Sequence, residues 1–290
     1  MPISPTRRKL LLPLFASLLL IVVPFFAQEA PSPSHARILL LPRKLVSGER
    51  ATLAVLDING RLTPGVTVLF TDGDKLVTDA TGRAFFVAPL DAPKLFATIE
   101  GRPGRVSSTI LTAAQVPSAT QAVTLVPRVA SLADRLEITG HGFCGVADAN
   151  HVTIGGLPGL VLASSPAYLA VLPPTDMDPG PAQVQISCGQ KSSAPFTVVF
   201  VSLDLEASYE PLAPGEHRAI TVRVRGSRAP LRLEAHNLSP EVADLVGGPS
   251  ARAESSGGAD NTAKFELVGR QHGSFIISIR LIAPAVAPKL

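Results

Sequence analysis

The amino-acid sequence predicts an all-β protein made of tandem β-sandwiches behind an apolar N-terminal leader. Three observations predict it. Apolar residues alternate with polar ones, as in Ile220, Val222 and Val224 between Thr221, Arg223 and Arg225, and in Phe275, Ile277, Ile279 and Leu281 around Ser278 and Arg280. A period of two marks a strand with one buried face. Turn dipeptides cut these runs at short intervals: Asn59-Gly60, Pro64-Gly65, Asp72-Gly73, Gly155-Gly156, Pro179-Gly180 and Pro214-Gly215. No long segment carries a helical period; the nearest approaches, 240–245 and 91–96, span a turn or two each. Strands every ~8–12 residues with turns between them are the pattern of a sandwich.

Composition narrows the class further. Hydrophobic residues make up 46% of the 290 and charged residues 17%, a smaller charged share than the ~25% of ordinary domains. Gly (23) and Pro (27) together stay below the ~25–30% that marks low-complexity chains. Disordered, collagen-like, coiled-coil and Cys-stapled chains are thereby excluded. The formal charge of +3 suggests nucleic acid or anionic membrane at first sight. Three of the 26 basic residues, Arg7, Arg8 and Lys9, belong to the leader, which holds no acidic residue up to Ala27, so the rest balances at 23 of each sign. A nucleic-acid partner is therefore not expected.

Residues 1–30 have the layout of a secretory signal peptide: a basic start, an uncharged run from Leu10 to Phe26, then the small, polar Ala27-Gln28-Glu29-Ala30. Phe25 stands where cleavage prefers a small residue, so the alternative is an uncleaved anchor. Pro13 and Pro24 weaken that alternative, and the run is short for the ~20 residues of a span. No Cys near the boundary offers a lipid-attachment site, and APAVAPKL at the end of the sequence holds no anchor. The chain is expected to work outside the cytoplasm, touching membrane only through residues 1–30 if they stay in place. Behind the leader, Ala30-Pro31-Ser32-Pro33-Ser34 is a stiff spacer. Small polar residues from Ala113 to Thr120 and the segment 202–208 divide the remainder into units at 36–114, 117–200 and 203–290. Each has about 80–90 residues, near the ~100 of an immunoglobulin-type sandwich.

The first unit carries Leu56-Asp57-Ile58-Asn59-Gly60, then Pro64-Gly65-Val66-Thr67-Val68, then Thr78-Asp79-Ala80-Thr81-Gly82-Arg83-Ala84. On these residues it resembles the bacterial Ig-like modules of the invasin type and the related carboxypeptidase-regulatory-like sandwiches. The second carries Asp134-Arg135-Leu136-Glu137-Ile138-Thr139-Gly140-His141-Gly142-Phe143, then Val152-Thr153-Ile154-Gly155-Gly156, Leu172-Pro173-Pro174, and the run from Pro179 to Ile186. On these it resembles an IPT/TIG domain over nearly its whole length, with His141 where that family has a small or polar residue. The Gly-x-Gly-Phe step is read as a sharp backbone turn with Phe143 plugging the end of the core. The third unit is a generic Ig-like sandwich by analogy alone. The resemblances imply tandem Ig-like sandwiches of a cell-surface or envelope protein.

Cys144 and Cys188 are the only cysteines. Val184, Ile186 and Cys188 share parity, which turns Cys188 toward the core side, and Cys144 follows the strand of Leu136 and Ile138. In an Ig-like Greek key these strand ends meet at one pole, so an exported chain with one pair predicts one disulfide, worth roughly 3–4 kcal/mol. The competing reading is a metal site from His141, Cys144, His151 and Cys188; it lacks a second short-spaced pair.

No nucleophile elbow, H-E-x-x-H, Walker loop or dinucleotide fingerprint is present, so no catalytic residue, cofactor or metal is expected. Asp72-x-Asp74 and Asp176-x-Asp178 read as turn chemistry rather than calcium ligands. The candidate contacts for an anionic ligand are Arg218, Arg223, Arg225, Arg228 and Arg232. With no Trp and only Tyr168 and Tyr209, stacking platforms for sugars are scarce. The expected function is a non-catalytic exported module serving structure, adhesion or binding, with a protein or cell-surface glycan as partner. The alternative is an accessory carbohydrate-binding protein of a polysaccharide-degrading or envelope system; a hydrolase with an unrecognised site is the third class. Oligomeric state is left open.

Overall fold

The computed structural model describes residues 37–117, 120–206 and 210–288. The leader, its Pro/Ser spacer, His35 and Tyr209 lie outside the described residues. Residues 36–290 group as one compact unit. Its described residues form three large hydrophobic cores with smaller clusters beside them, and no α-helix occurs among them.

The first sandwich comprises β1 (Ile38–Leu40), β2 (Lys44–Val46), β3 (Arg50–Leu56), β4 (Thr67–Phe70), β5 (Lys75–Val77), β6 (Arg83–Val87), β7 (Lys94–Ile99) and β8 (Val106–Leu111). One layer is β1-β3-β6; the other runs β2-β8-β7-β4-β5, with β2 parallel to β8. Alternation does the sorting: Val68 and Phe70 on β4, and Leu95, Ala97 and Ile99 on β7, point inward onto Leu53 and Val55 of β3. Two aspartates close the corners. Asp57 accepts the amides of Arg61 and Asn59, and Asp79 accepts the hydroxyl and amide of Thr81. These bonds hold both carboxyls below the usual range.

The second sandwich comprises β9 (Ala122–Pro127), β10 (Val129–Ser131), β11 (Leu136–His141), β12 (Asn150–Ile154), β13 (Leu157–Ser165), β14 (Tyr168–Leu172), β15 (Gly180–Cys188), β16 (Lys191–Ser192) and β17 (Phe196–Glu206). Its layers are β9-β11-β14-β13 and β13-β12-β15-β17, with β10 parallel on β17. β13 serves both: residues 157–159 pair with β12, residues 160–165 with β14, and the register shifts between Val161 and Ala163. Phe143 is buried in this core. Gly142 makes its entry feasible: its φ is +77°, and a Cβ there would lie 2.4 Å from the Thr120 carbonyl oxygen.

The third sandwich uses the second half of β17 with β18 (His217–Arg225), β19 (Arg232–Asn237), β20 (Ala243–Leu245), β21 (Ser250–Glu254), β22 (Thr262–Gly269), β23 (Ile277–Leu281) and β24 (Ala285–Val286). Its layers are β17-β18-β22-β20 and β21-β19-β23. β24 leaves them and pairs with β9 of the second sandwich. The two segments nearest to a helical pattern hold strands instead: β20 lies within 240–245, and β7 begins within 91–96.

The sandwiches are fused rather than strung on loops. β17 runs unbroken to Glu206, well into the segment read as a joint at 202–208; residues 196–200 pair with β15 and residues 202–206 with β18. Between the first two sandwiches, Leu40, Ala54 and Leu56 pack on Leu162, Ala163, Tyr168 and Ala170. A polar knot sits beside this contact. The Gly145 carbonyl accepts the hydroxyls of Thr52 (2.7 Å) and Ser164 (2.8 Å), while Thr52 Oγ1 accepts the Ala147 amide (3.1 Å). Only glycine fits there: a Cβ on residue 145 would lie 2.0 Å from the Arg50 carbonyl oxygen. Arg83, 4% exposed, reaches across to the Val161 carbonyl (2.6 Å) and Asp148 (3.1 Å).

Candidate functional site

The cysteines meet as expected. Cys144 and Cys188 form a disulfide with Cα atoms 5.9 Å apart, at the pole where β11 and β15 end. Asn150, buried opposite Cys188 on the ladder, shapes the intervening loop: its side chain accepts the Cys144 amide (2.9 Å) and donates to the carbonyls of Cys144 (2.8 Å) and Val146 (3.0 Å). The disulfide occupies both sulfurs of the alternative metal set. His141 Nδ1 lies 2.9 Å from the Thr120 carbonyl, and His151 is exposed on β12. Among the described residues no three His, Cys, Asp or Glu side chains converge as a metal site would require. Asp72 accepts the Asp74 amide, an ordinary turn contact.

The five arginines of the third unit do not share a groove. Arg223 pairs with Glu206 (2.8 Å) and Arg225 with Asp204 (2.5 Å) across β17 and β18. Arg218 points to the other face of β18, bound to Glu216 and to the Glu210 carbonyl. Arg228 is exposed in the turn after β18, and Arg232 lies on β19 in the opposing layer.

Instead, three other arginines, one from each sandwich, converge on a cleft of about 360 Å³. Arg43 comes from the β1–β2 turn, Arg135 from the start of β11 and Arg280 from β23; Asp134 and Glu137 face them. Outward strand positions supply Glu137 and Arg280: Glu137 alternates with the buried Leu136 and Ile138, and Arg280 lies between Ile279 and Leu281, which pack on the third core. Glu137 is clamped bidentately by Arg43 (2.7 and 3.1 Å) and touched by Arg135 Nε (3.2 Å). No protein partner takes the terminal nitrogens of Arg135 among the described residues.

Arg280 is held from behind by Glu234. That carboxylate accepts Arg280 Nε (2.8 Å), Arg252 Nε (2.9 Å) and His236 Nε2 (3.0 Å). Arg280, then Arg252, bring its pKa down to about 2. Asp134 is solvent-exposed at the rim, yet crowding by the cleft walls raises its pKa against the pull of Arg135 and Arg280. A second cleft, of about 440 Å³, shares Arg43, Arg135 and Glu137 and extends to Tyr168 between the first two sandwiches. Burial there, then the neighbouring Glu137 charge, raise the pKa of the Tyr168 hydroxyl. The composite groove offers guanidinium donors and carboxylate acceptors with no exposed aromatic platform. No sequence signal marks it: its members are drawn from positions 43, 134–137 and 280, with no common motif.

No protein-family model matches the chain, and no curated protein matches it in sequence. Among solved structures, SGBP-B of the Bacteroides ovatus mixed-linkage glucan utilization locus, determined with a mixed-linkage heptasaccharide, is 11% identical; the match covers 87% of this chain and 76% of that one, with a TM-score of 0.32. The S-layer protein rSbsC(31-844) is 15% identical over 87% of this chain and 39% of that one, TM-score 0.21. Sidekick-1 immunoglobulin domains 1–4 are 12% identical over 85% of this chain and 76% of that one, TM-score 0.26. These likenesses are too distant to carry anything about ligand, partner or reaction.

Proposed function

We propose that this chain is an exported, non-catalytic Ig-like protein that holds three sandwiches as one stiff body and binds a polar partner in the groove where they meet. In this reading residues 1–30 are its export signal, the middle sandwich is of the IPT/TIG type, and the first is of the invasin type. The observation that carries the proposal is the convergence of Arg43, Arg135 and Arg280 from three sandwiches on one cleft. Strands and the junction core hold the sandwiches together, and the Arg43–Glu137 ion pair adds to them. Arg135 in particular keeps donors for an outside acceptor such as a carboxylate or vicinal hydroxyls. The disulfide at the pole of the second sandwich supports an oxidising compartment.

The polar lining also suits the second reading, an accessory carbohydrate-binding protein that recognises sugars by hydrogen bonds rather than stacking. Both readings are tested by titrating the exported chain on arrays of neutral and acidic glycans and on envelope-protein extracts, beside an Arg135→Ala variant. Binding that weakens at least roughly tenfold in the variant is expected, the scale of a lost charge-assisted bond. Binding that Arg135→Ala leaves unchanged would place the partner elsewhere.

A further inference from the structure

The outer strand of the first sandwich has an edge that no described strand covers. Among the described residues β6 pairs only with β3. The backbone parity follows from its neighbours: the Ala88 amide donates to the Glu49 carbonyl and the Val55 amide to the Gly82 carbonyl. Residues 82, 84, 86 and 88 therefore direct their backbone groups to β3, and Phe85 and Val87 direct theirs outward. Those two residues are also exposed in their side chains, 48% for Phe85 and 60% for Val87. They line a shallow apolar cleft of about 380 Å³ with Arg50, Phe86 and Val146.

Exposed edges normally carry a charge or a proline that discourages pairing. β5 has Lys75, β20 has Asp244, β21 has Arg252 and β23 has Arg280, all exposed. On β6 the run Ala84-Phe85-Phe86-Val87 has neither, and Pro89 stands two residues beyond its end. Its one flanking charge, Arg83, is buried against Asp148 and Val161.

We propose that β6 pairs antiparallel with β6 of a second copy of this chain. The edge is complementary to itself in one register, centred on Phe86. There Phe85 faces Val87 of the other copy twice over, and the outward amides and carbonyls of these residues meet in four backbone hydrogen bonds. Each aromatic–β-branched pair lies on the exposed face, a favoured cross-strand combination. The phenyl ring of each copy falls beside Val87 of the other, at the apolar cleft. No like charges meet, and the pairing joins the β1-β3-β6 layers of the two copies through their outer strands, which covers both edges.

Sedimentation equilibrium on the chain purified after export tests this, with Val87→Lys at the edge and Leu90→Lys as an exposed apolar control just beyond it. A concentration-dependent dimer is expected. Val87→Lys should weaken it roughly tenfold or more, and Leu90→Lys should leave it intact. Amide exchange supplies the residue-level readout, since Phe85 and Val87 amides slow only when the edge is paired. Unchanged thermal unfolding of Val87→Lys at low concentration checks that this variant folds. A wild-type chain that stays monomeric, or a dimer that survives Val87→Lys with both amides exchanging at the monomer rate, overturns the proposal.

Discussion

Thr52 shows how one side chain can join two sandwiches. It has no exposed surface, donates to the Gly145 carbonyl and accepts the Ala147 amide. Thr52→Val keeps the shape and leaves that buried amide without an acceptor, while the carbonyl retains Ser164. The variant should lose about 1–3 kcal/mol in urea unfolding. Glu234 makes a different prediction. Its pKa falls from 4.5 to about 2 on folding, so its ionised form stabilises the native state. That contribution is complete above the unfolded value and disappears as pH drops from about 4.5 toward 2. Glu234→Gln should be less stable than wild type at neutral pH, with the gap closing across that acid window when Tm is followed against pH. Cys144 and Cys188 were legible as partners because they are the single cysteine pair, parity turns Cys188 toward the core side, and an Ig-like Greek key brings these two strand ends to one pole. Thr52 and Arg83 were not, because a buried polar side chain looks like any other Thr or Arg until its partners, 65 to 95 residues away, are in place.

At the scale of elements, β17 is the strand on which the architecture turns. Val198 and Phe200 fill the second core, while Val201 fills the third and Val199 and Leu203 pack against it. Successive side chains point to opposite faces, so one extended strand feeds two cores. This also explains why the sequence suggested a joint near residue 202: alternation that has two buried faces in turn loses its polar marker, and the polar residues that follow resemble a linker. Inserting two glycines between Val201 and Ser202 preserves the in-out parity but breaks the continuity of the backbone. Scanning calorimetry should then resolve a separate, lower transition for the third sandwich where the wild-type chain unfolds in fewer steps. β20 and the start of β7 teach a related lesson, since a short segment of mixed polarity takes the conformation its pairing partner offers.

At the scale of the whole molecule, three small cores are joined by a shared strand, a junction core and the return of β24 to β9. Such small sandwiches bury modest apolar area on their own, and these joints let each lean on its neighbour. The same joints create the composite groove, which has walls from all three units. The sequence by itself determined most strands, their buried faces and the turns, because period, turn chemistry and parity are written within a few residues, and it pointed to the disulfide because it holds a single cysteine pair. The tertiary structure alone decided that the sandwiches form one body, that Arg43, Arg135 and Arg280 share a cleft while the five third-unit arginines do not, and that β6 has no second strand beside it among the described residues. Those outcomes rest on contacts between residues far apart in the chain, where one exposed side chain meets another with no periodicity to announce it.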